Sequence, residues 1–334
     1  MKNVLIIITT AFVPWGGLTT VIMNYYRNMD KTDLQIDFAS CNTISLPLND
    51  ELSQNGSRYI QLSDRKKHIL RYMRDLYRVL RHGRYEVIHI HGNSATMLIE
   101  LIPAKILGIK KRIVHVHSTQ NMHKLVHAIM KVPMNLLTNM RLAVSQEAGD
   151  YLYGSRKFNV MRNAIDTVHY QFNQESRLRC RRGWKISDSA YVIGTVGKMY
   201  KPKNQLFLVE VFSKVLNRIP NAKLLLVGDG VLRSQIETQI RALGIENSCI
   251  LAGMQIDAAD FLCAMDCFVF PSLYEGFGLA LLEAQASGLY VVCSENISRE
   301  AMATDLCVGK SLDNQEDWIE QICSVKEKLS KYDR

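Results

Sequence analysis

No uninterrupted apolar run in these 334 residues approaches the ~20 needed to cross a bilayer, so a membrane-spanning helix is not expected. Low-complexity runs are also absent. With 47% apolar and 22% charged residues, the composition is that of a folded globular chain, and disorder is expected only near the end. None of the eight cysteines (Cys41, Cys180, Cys249, Cys263, Cys267, Cys293, Cys307 and Cys323) has a CxxC partner. That pattern suits buried free thiols in a reducing cytoplasm. Cys263 and Cys267 fall at i, i+4 as if on one helix face, but no second cluster completes a zinc site, so packing is the expectation. The apolar start Met1-Lys2-Asn3-Val4-Leu5-Ile6-Ile7-Ile8 lacks an A-x-A-like cleavage site and reads as a first strand, not as a signal peptide.

What is present suggests two domains. The length suits two units of about 165 residues, and the net charge of +9 is unevenly divided. Residues 1–170 hold 22 Lys+Arg against 12 Asp+Glu, whereas the remainder holds 19 against 20. Lys67, Arg71, Arg74, Arg78 and Arg81 are spaced to line one helix face, with Leu70, Met73, Tyr77 and Leu80 on an apolar side. Such a row suits either an anionic membrane surface or plain solvent. No nucleic-acid recognition motif accompanies it.

The order of elements is strand, loop, helix, repeated. Strands are expected over 4–9, 36–39, 87–91 and 113–117, with helices over 19–27 and 69–80. The alternation restarts with strands over 191–196, 223–227, 248–251 and 267–270 and helices over 205–217, 232–243 and 258–264. This predicts an α/β protein with two doubly wound parallel sheets covered by helices, 1–170 and 171–334. The polar stretch 163–189, with Arg177, Arg179, Arg181 and Arg182, is the expected linker, and a cleft is expected between the halves. Ligands of such sheets sit at the carboxyl ends of the strands.

The richest segment is Pro271-Ser272-Leu273-Tyr274-Glu275-Gly276-Phe277-Gly278-Leu279-Ala280-Leu281-Leu282-Glu283-Ala284. A strand ends at Pro271, a glycine-rich turn follows, and a helix begins near Leu279. Backbone N–H groups of Gly276, Phe277 and Gly278 would face outward at the positive end of that helix, where an anion is favoured. Eight helical residues rise roughly 12 Å, too far for Glu275 and Glu283 to flank one bond as a glycosidase pair does. The two carboxylates should therefore have separate jobs.

This segment resembles the Glu-x7-Glu signature of the retaining family 4 glycosyltransferases of bacterial capsular and exopolysaccharide synthesis. The resemblance implies the GT-B fold and transfer of a sugar from a nucleotide diphosphate donor, with UDP as the expected nucleotide. It places Glu275 beside the donor sugar, the amides of 276–279 (ending at Leu279) near sugar and phosphate, and Glu283 on the ribose hydroxyls. The run Gly197-Lys198-Met199-Tyr200-Lys201-Pro202-Lys203 looks like the family's diphosphate grip. Lys203 matches the second basic position; at the first, Lys198 replaces an arginine, giving a point charge in place of a planar fork. No D-x-D triplet occurs, so the resemblance implies a metal-independent enzyme with no cofactor, its leaving group neutralised by Lys198, Lys203 and helix amides.

Further along the same resemblance, Gly228-Asp229-Gly230 ends the next strand, and Gly253 with Met254 is expected near the base. Pro14-Trp15-Gly16-Gly17 resembles the glycine-rich loop that approaches the donor, and since it is not G-x-G-x-x-G it does not support a nicotinamide site. His115 and His117 share a strand face, with His117 implied as the active-site histidine; His89 and His91 end the preceding strand in the same way. Four such histidines raise the possibility of a metal, but no acidic ligand spacing supports one. His123 and His127 lack the Glu of HExxH and are assigned to packing. Ser145-x-Glu147 and Asn163-Ala164-Ile165-Asp166 also fit the family, with Ala164 where glycine is usual. The stretch Trp318–Tyr332 leaves little room for the long closing helix common there.

The expectation is a peripheral or soluble cytoplasmic enzyme that moves a sugar to a glycan or lipid-linked acceptor by front-side attack. A nucleotide-sugar 2-epimerase of the same fold and a catalytically silent nucleotide-sugar binding subunit are the alternatives.

Overall fold

A computed structural model of the chain describes residues 1–119, 124–275 and 277–329. The chain forms two compact units, Met1–Ala164 and Ile165–Arg334. The division falls ahead of the expected 170/171 boundary because Tyr170 packs against the core of the second unit.

The first unit is built on seven parallel strands in the order β3-β2-β1-β4-β5-β6-β7. They are β1 (Lys2–Ile8), β2 (Leu34–Ser40), β3 (Tyr59–Gln61), β4 (Val87–Gly92), β5 (Lys111–Val116), β6 (Met140–Ala143) and β7 (Asn159–Val160). The strand order reverses at β1/β4, the switch point where open parallel sheets bind ligands. Leu5, Ile6, Ile7 and Ile8 are all buried, as expected of a strand covered on both faces. One face is covered by helices Gly17–Asn28 and Leu46–Gln54 through Ile22, Tyr26 and Leu52. The other is covered by helices Ile69–Gly83, Leu98–Ile106, Lys124–Leu137 and Gln146–Tyr153 through Leu76, Leu101, Met134 and Leu152.

The basic helix is rotated relative to its sequence reading. Its buried residues are Tyr72, Leu76 and Leu80, while Leu70 points outward among the arginines and Met73 and Tyr77 are only half-buried. The cause is a polar anchor. Tyr72 donates to Glu100 Oε1 at 2.8 Å, and Glu100, fully buried, pairs with Arg65 at 2.6 Å. A buried carboxylate without these partners would be strongly destabilising, so the helix turns its tyrosine inward.

The second unit carries six parallel strands in the order β10-β9-β8-β11-β12-β13: β8 (Tyr191–Val196), β9 (Ala222–Val227), β10 (Cys249–Gly253), β11 (Cys267–Phe270), β12 (Tyr290–Ser294) and β13 (Cys307–Lys310). The expected linker is not a solvated tether: residues Gln174–Gly183 form a helix in which Arg181 is fully buried. Arg181 donates to Ala264 O and Ala190 O and pairs with Asp266 at 2.8 Å, while Arg177 reaches the other carboxylate oxygen at 2.7 Å. Arginines close in sequence thus serve as internal ties.

Cys263 and Cys267 do not share a helix. The first lies on the short helix Ala259–Ala264 and the second opens β11. All eight cysteines are free thiols. The helix Gln315–Leu329 packs on the helix Gln205–Arg218 and buries Trp318 completely, its indole N–H donating to Ser311 O at 2.7 Å. Among the described residues, no helix is long and apolar enough to cross a membrane.

Candidate active site

In the second unit, the loops after β8 and β11 come together. Leu273 N donates to Pro202 O at 2.8 Å, and Lys203 Nζ lies 2.6 Å from Glu275 Oε1. That oxygen is buried and the contact is an ion pair without the alignment of a hydrogen bond. The ammonium also sits 4.5 Å from the centre of the Phe270 ring, whose face favours a cation. Lys203 ends a short turn, Lys201–Lys203, closed by Asn204 in the left-handed region at φ 56°. Lys198 and Lys201 are exposed beside it. Two residues singled out separately in the sequence are therefore direct partners.

After Glu275 the chain reaches Phe277, which is buried, and Gly278, whose φ of 84° suits a residue without a Cβ. Gly276 lies outside the described residues. Gly278 caps the helix Leu279–Ala286, whose first turn has neither an acidic residue nor a side-chain cap. Ser272, just upstream, keeps a buried hydroxyl with no hydrogen-bond partner among the described residues. Glu283, on the same helix, is buried, and that burial raises its carboxyl to about 7. A hydrogen bond from Tyr170 and the charges of Lys203 and His169 oppose the rise, and Asp257 adds to it. His169 Nε2 in turn lies 2.9 Å from Asp257 Oδ2.

The adjacent loops lie close to one another. Gly228 N donates to Gly253 O at 2.8 Å. A Cβ on Gly228 would stand 2.1 Å from Gly197 O, so only glycine lets β9 end this close to the Lys198 loop. Met254 is exposed beyond Gly253, and Arg233, held by Asp229 at 2.9 Å and Glu237 at 2.8 Å, lies beside that loop.

In the first unit the four histidines meet at the carboxyl edge of β4 and β5. His91 is in register with His115, and His91 Nδ1 lies 2.9 Å from His117 Nε2. The His89 and His91 rings are 4.0 Å apart, and those of His115 and His117 are 4.2 Å apart. Burial lowers all four: His89 to about 4, His117 to about 3, and His91 and His115 well below the ordinary value. The neutral ring of His117 is thus positioned by His91. Ring nitrogens of His89, His91 and His115 lie within 4.8 Å of one another, close enough to hold a borderline metal ion, with neither a carboxylate nor a thiolate in the group. Thr9 N donates to His91 O at 3.1 Å, tying the end of β1 to this cluster. Beyond it, Gly16 caps the helix Gly17–Asn28, and the space over Gly17 is open. His127 accepts from Ala95 N at 3.2 Å and stacks on Tyr151, so it is a packing residue; His123 lies outside the described residues.

Two family models match the chain, "Glycosyltransferase Family 4" over residues 15–169 and "Glycosyl transferases group 1" over residues 190–327. The chain belongs to the family 4 glycosyltransferases. It is 27% identical over 301 residues to a putative glycosyltransferase, EpsF, of Bacillus subtilis, covering 86% of this chain and 78% of EpsF. It is also 27% identical over 233 residues to the UDP-Gal:alpha-D-GlcNAc-diphosphoundecaprenol alpha-1,3-galactosyltransferase of Escherichia coli, covering 66% of this chain and 60% of that one. The fold is similar to that of Anabaena HepE, solved in complex with UDP and glucose: the TM-score is 0.79 at 16% identity, over 98% of this chain and 90% of HepE.

As a family 4 glycosyltransferase the protein has the GT-B fold, and its relatives include enzymes of bacterial polysaccharide synthesis. Neither the family models nor these relatives support the 2-epimerase alternative. Sequence reading missed Tyr170, His169 and Asp257 around Glu283, and Arg233 beside Gly253. The last had a signal, Asp229 and Glu237 each four residues from Arg233. The others come from distant stretches and had none.

Proposed function

We propose that this glycosyltransferase moves a hexosyl unit from a UDP-sugar to a polyprenyl-diphosphate-linked glycan, with retention of configuration and without a metal. The observation that carries the reading is the Lys203–Glu275 pair, formed where the β8 and β11 loops join at the start of the helix bearing Glu283. A donor diphosphate would replace the carboxylate as partner of Lys203, freeing Glu275 to face the sugar, while Glu283 accepts from the ribose hydroxyls. UDP is favoured because HepE has been solved with it and the Escherichia coli relative is named for UDP-Gal. The lipid-linked acceptor is favoured by that name and by a Campylobacter jejuni relative, also named for a diphospho-undecaprenol acceptor.

In the proposed reaction the acceptor hydroxyl attacks the anomeric carbon from the side on which UDP departs. The new glycosidic C–O bond replaces the C–O bond to the diphosphate, and the hydroxyl proton passes to the leaving phosphate oxygen. Glu275 and neutral His117 position and stabilise the sugar, and Lys198, Lys203 and the amides of Phe277, Gly278 and Leu279 take up charge on the departing group. The exposed row Lys67, Arg71, Arg74, Arg78 and Arg81 would hold the enzyme to the anionic inner face of the plasma membrane.

The test is a donor screen by thermal shift, followed by UDP release with acceptor and identification of the product. Glu275→Ala and Lys203→Ala should each abolish measurable transfer while the protein stays folded. UDP binding without turnover across an acceptor panel would identify a silent subunit, and transfer that survives both substitutions would overturn the assignment.

A further inference from the structure

The helix Lys124–Leu137 presents an apolar outer face that the transferase chemistry does not use. Leu125, Ile129, Val132 and Leu136 recur at i, i+4, i+7 and i+11, within roughly a 60° arc of the helix. They are 75%, 68%, 58% and 73% exposed. Lys131, the charged residue within the stripe's span, turns aside and donates to Tyr151 O at 2.6 Å. The inward face is satisfied separately: Met134 is in the core, and Asn135 donates to Lys131 O and Leu152 O. Nothing in the fold requires large apolar side chains on the outside, and a stripe of this size on a soluble face marks an interaction surface.

Its neighbours identify the partner. Helices Ile69–Gly83, Leu98–Ile106 and Lys124–Leu137 pack in succession over the same sheet face. Ile106 on the middle helix is 69% exposed, and Leu70, 81% exposed, stands within the basic row of the first. One face of the first unit therefore pairs an uncharged apolar stripe with a row of five cations, separated by two helix spacings, or roughly 20 Å. A protein partner would have to match two surfaces of opposite character. An anionic bilayer offers both, phosphate headgroups to the cations and acyl chains to the stripe.

We propose that the helix Lys124–Leu137 inserts its Leu125, Ile129, Val132 and Leu136 edge into the headgroup–acyl boundary of an anionic membrane, with the helix Ile69–Gly83 as its electrostatic companion. This rests on the membrane-linked acceptor reading above and adds to it a hydrophobic, salt-resistant component of attachment. Charge alone is screened at high ionic strength, and insertion is not.

The experiment is flotation of the full chain with phosphatidylcholine vesicles containing about 30% phosphatidylglycerol, in low salt and in about 0.5 M NaCl, where screening acts over a few ångströms. The wild type should retain binding in high salt. Leu125→Gln/Ile129→Gln/Leu136→Gln should lose that residue of binding by about tenfold, with an unchanged melting temperature because all three sites are exposed. Lys67→Gln/Arg71→Gln/Arg74→Gln/Arg78→Gln should lose the salt-sensitive part alone. Ile129→Trp should add an emission component that shifts to the blue on mixing and is quenched by brominated lipid. High-salt flotation of the triple variant equal to wild type would overturn the proposal. So would a wild-type dimer that this variant dissociates while vesicle binding is unchanged, since the stripe would then be a self-association surface. Flotation needs no substrate, and UDP release with a water-soluble acceptor needs no vesicle, so failure here and failure of the transferase reading are separable.

Discussion

Glu283 combines a buried carboxylate with a value near neutrality, and the two together set a pH dependence. Burial raises its carboxyl from 4.5 to about 7, so the folded protein keeps a proton that the unfolded chain releases about two and a half units lower. Between those values the unfolded state binds fewer protons, and stability from this group falls as pH rises, with no further loss above about 7. The whole effect has an upper bound on the order of 3 kcal/mol. Thermal melts of wild type and Glu283→Gln at about pH 5 and about pH 8 check this: the variant should gain relative to wild type at the higher pH. Equal differences at both would show the carboxyl to be already ionised. Tyr170, His169 and Asp257 make this environment, and none could be foreseen, because a residue's dielectric surroundings depend on which distant segments fold against it.

At the scale of elements, the meeting of the β8, β9 and β11 loops depends on chain that can pass close to chain. Gly228→Ala would set a Cβ 2.1 Å from Gly197 O and force the loops apart. The expected outcome is a loss of about 1–3 kcal/mol in urea unfolding together with a clear rise in the donor KM, because Lys198 and Lys203 move with that loop. A stability loss with unchanged KM would mean that the loop is not part of the donor site. Most of the elements near the site were legible: β8 and β11 fall where alternation and the Pro271 break put them, and the helix after Gly278 begins at its expected residue. The surroundings of charged side chains were not: the basic helix Ile69–Gly83 forms where expected but turns Tyr72 and Leu76 inward. The stretch holding the arginines of 174–183 read as a linker because sequence does not show that Asp266 and the Ala264 carbonyl await them. The stripe on the helix Lys124–Leu137 passed unnoticed because an apolar row reads the same whether it faces core or water.

At the scale of the molecule, the family and the fold were legible because strand–loop–helix alternation runs twice along the chain and a few short motifs stand at its strand ends. The chemistry of the histidine cluster was less so. His89, His91, His115 and His117 were visible as strand-end residues, but only the pairing of β4 with β5 brings their rings together. On the metal-independent reading, turnover should be unchanged after exhaustive EDTA treatment and dialysis. Activity lost to chelation and restored by Zn²⁺ would instead draw the His89, His91 and His115 group into the reaction.

The closed contact between Lys203 and Glu275 also bears on how a nucleotide would first find this surface. With Glu275 beside it, that ammonium is already neutralised at short range, so it contributes little to the long-range potential. Attraction of a distant diphosphate falls to exposed Lys198 and Lys201, which make no ion pair among the described residues. Capture and grip are thereby assigned to different side chains: removing the outer lysines should slow arrival and flatten its ionic-strength dependence, whereas removing the inner one should shorten the stay.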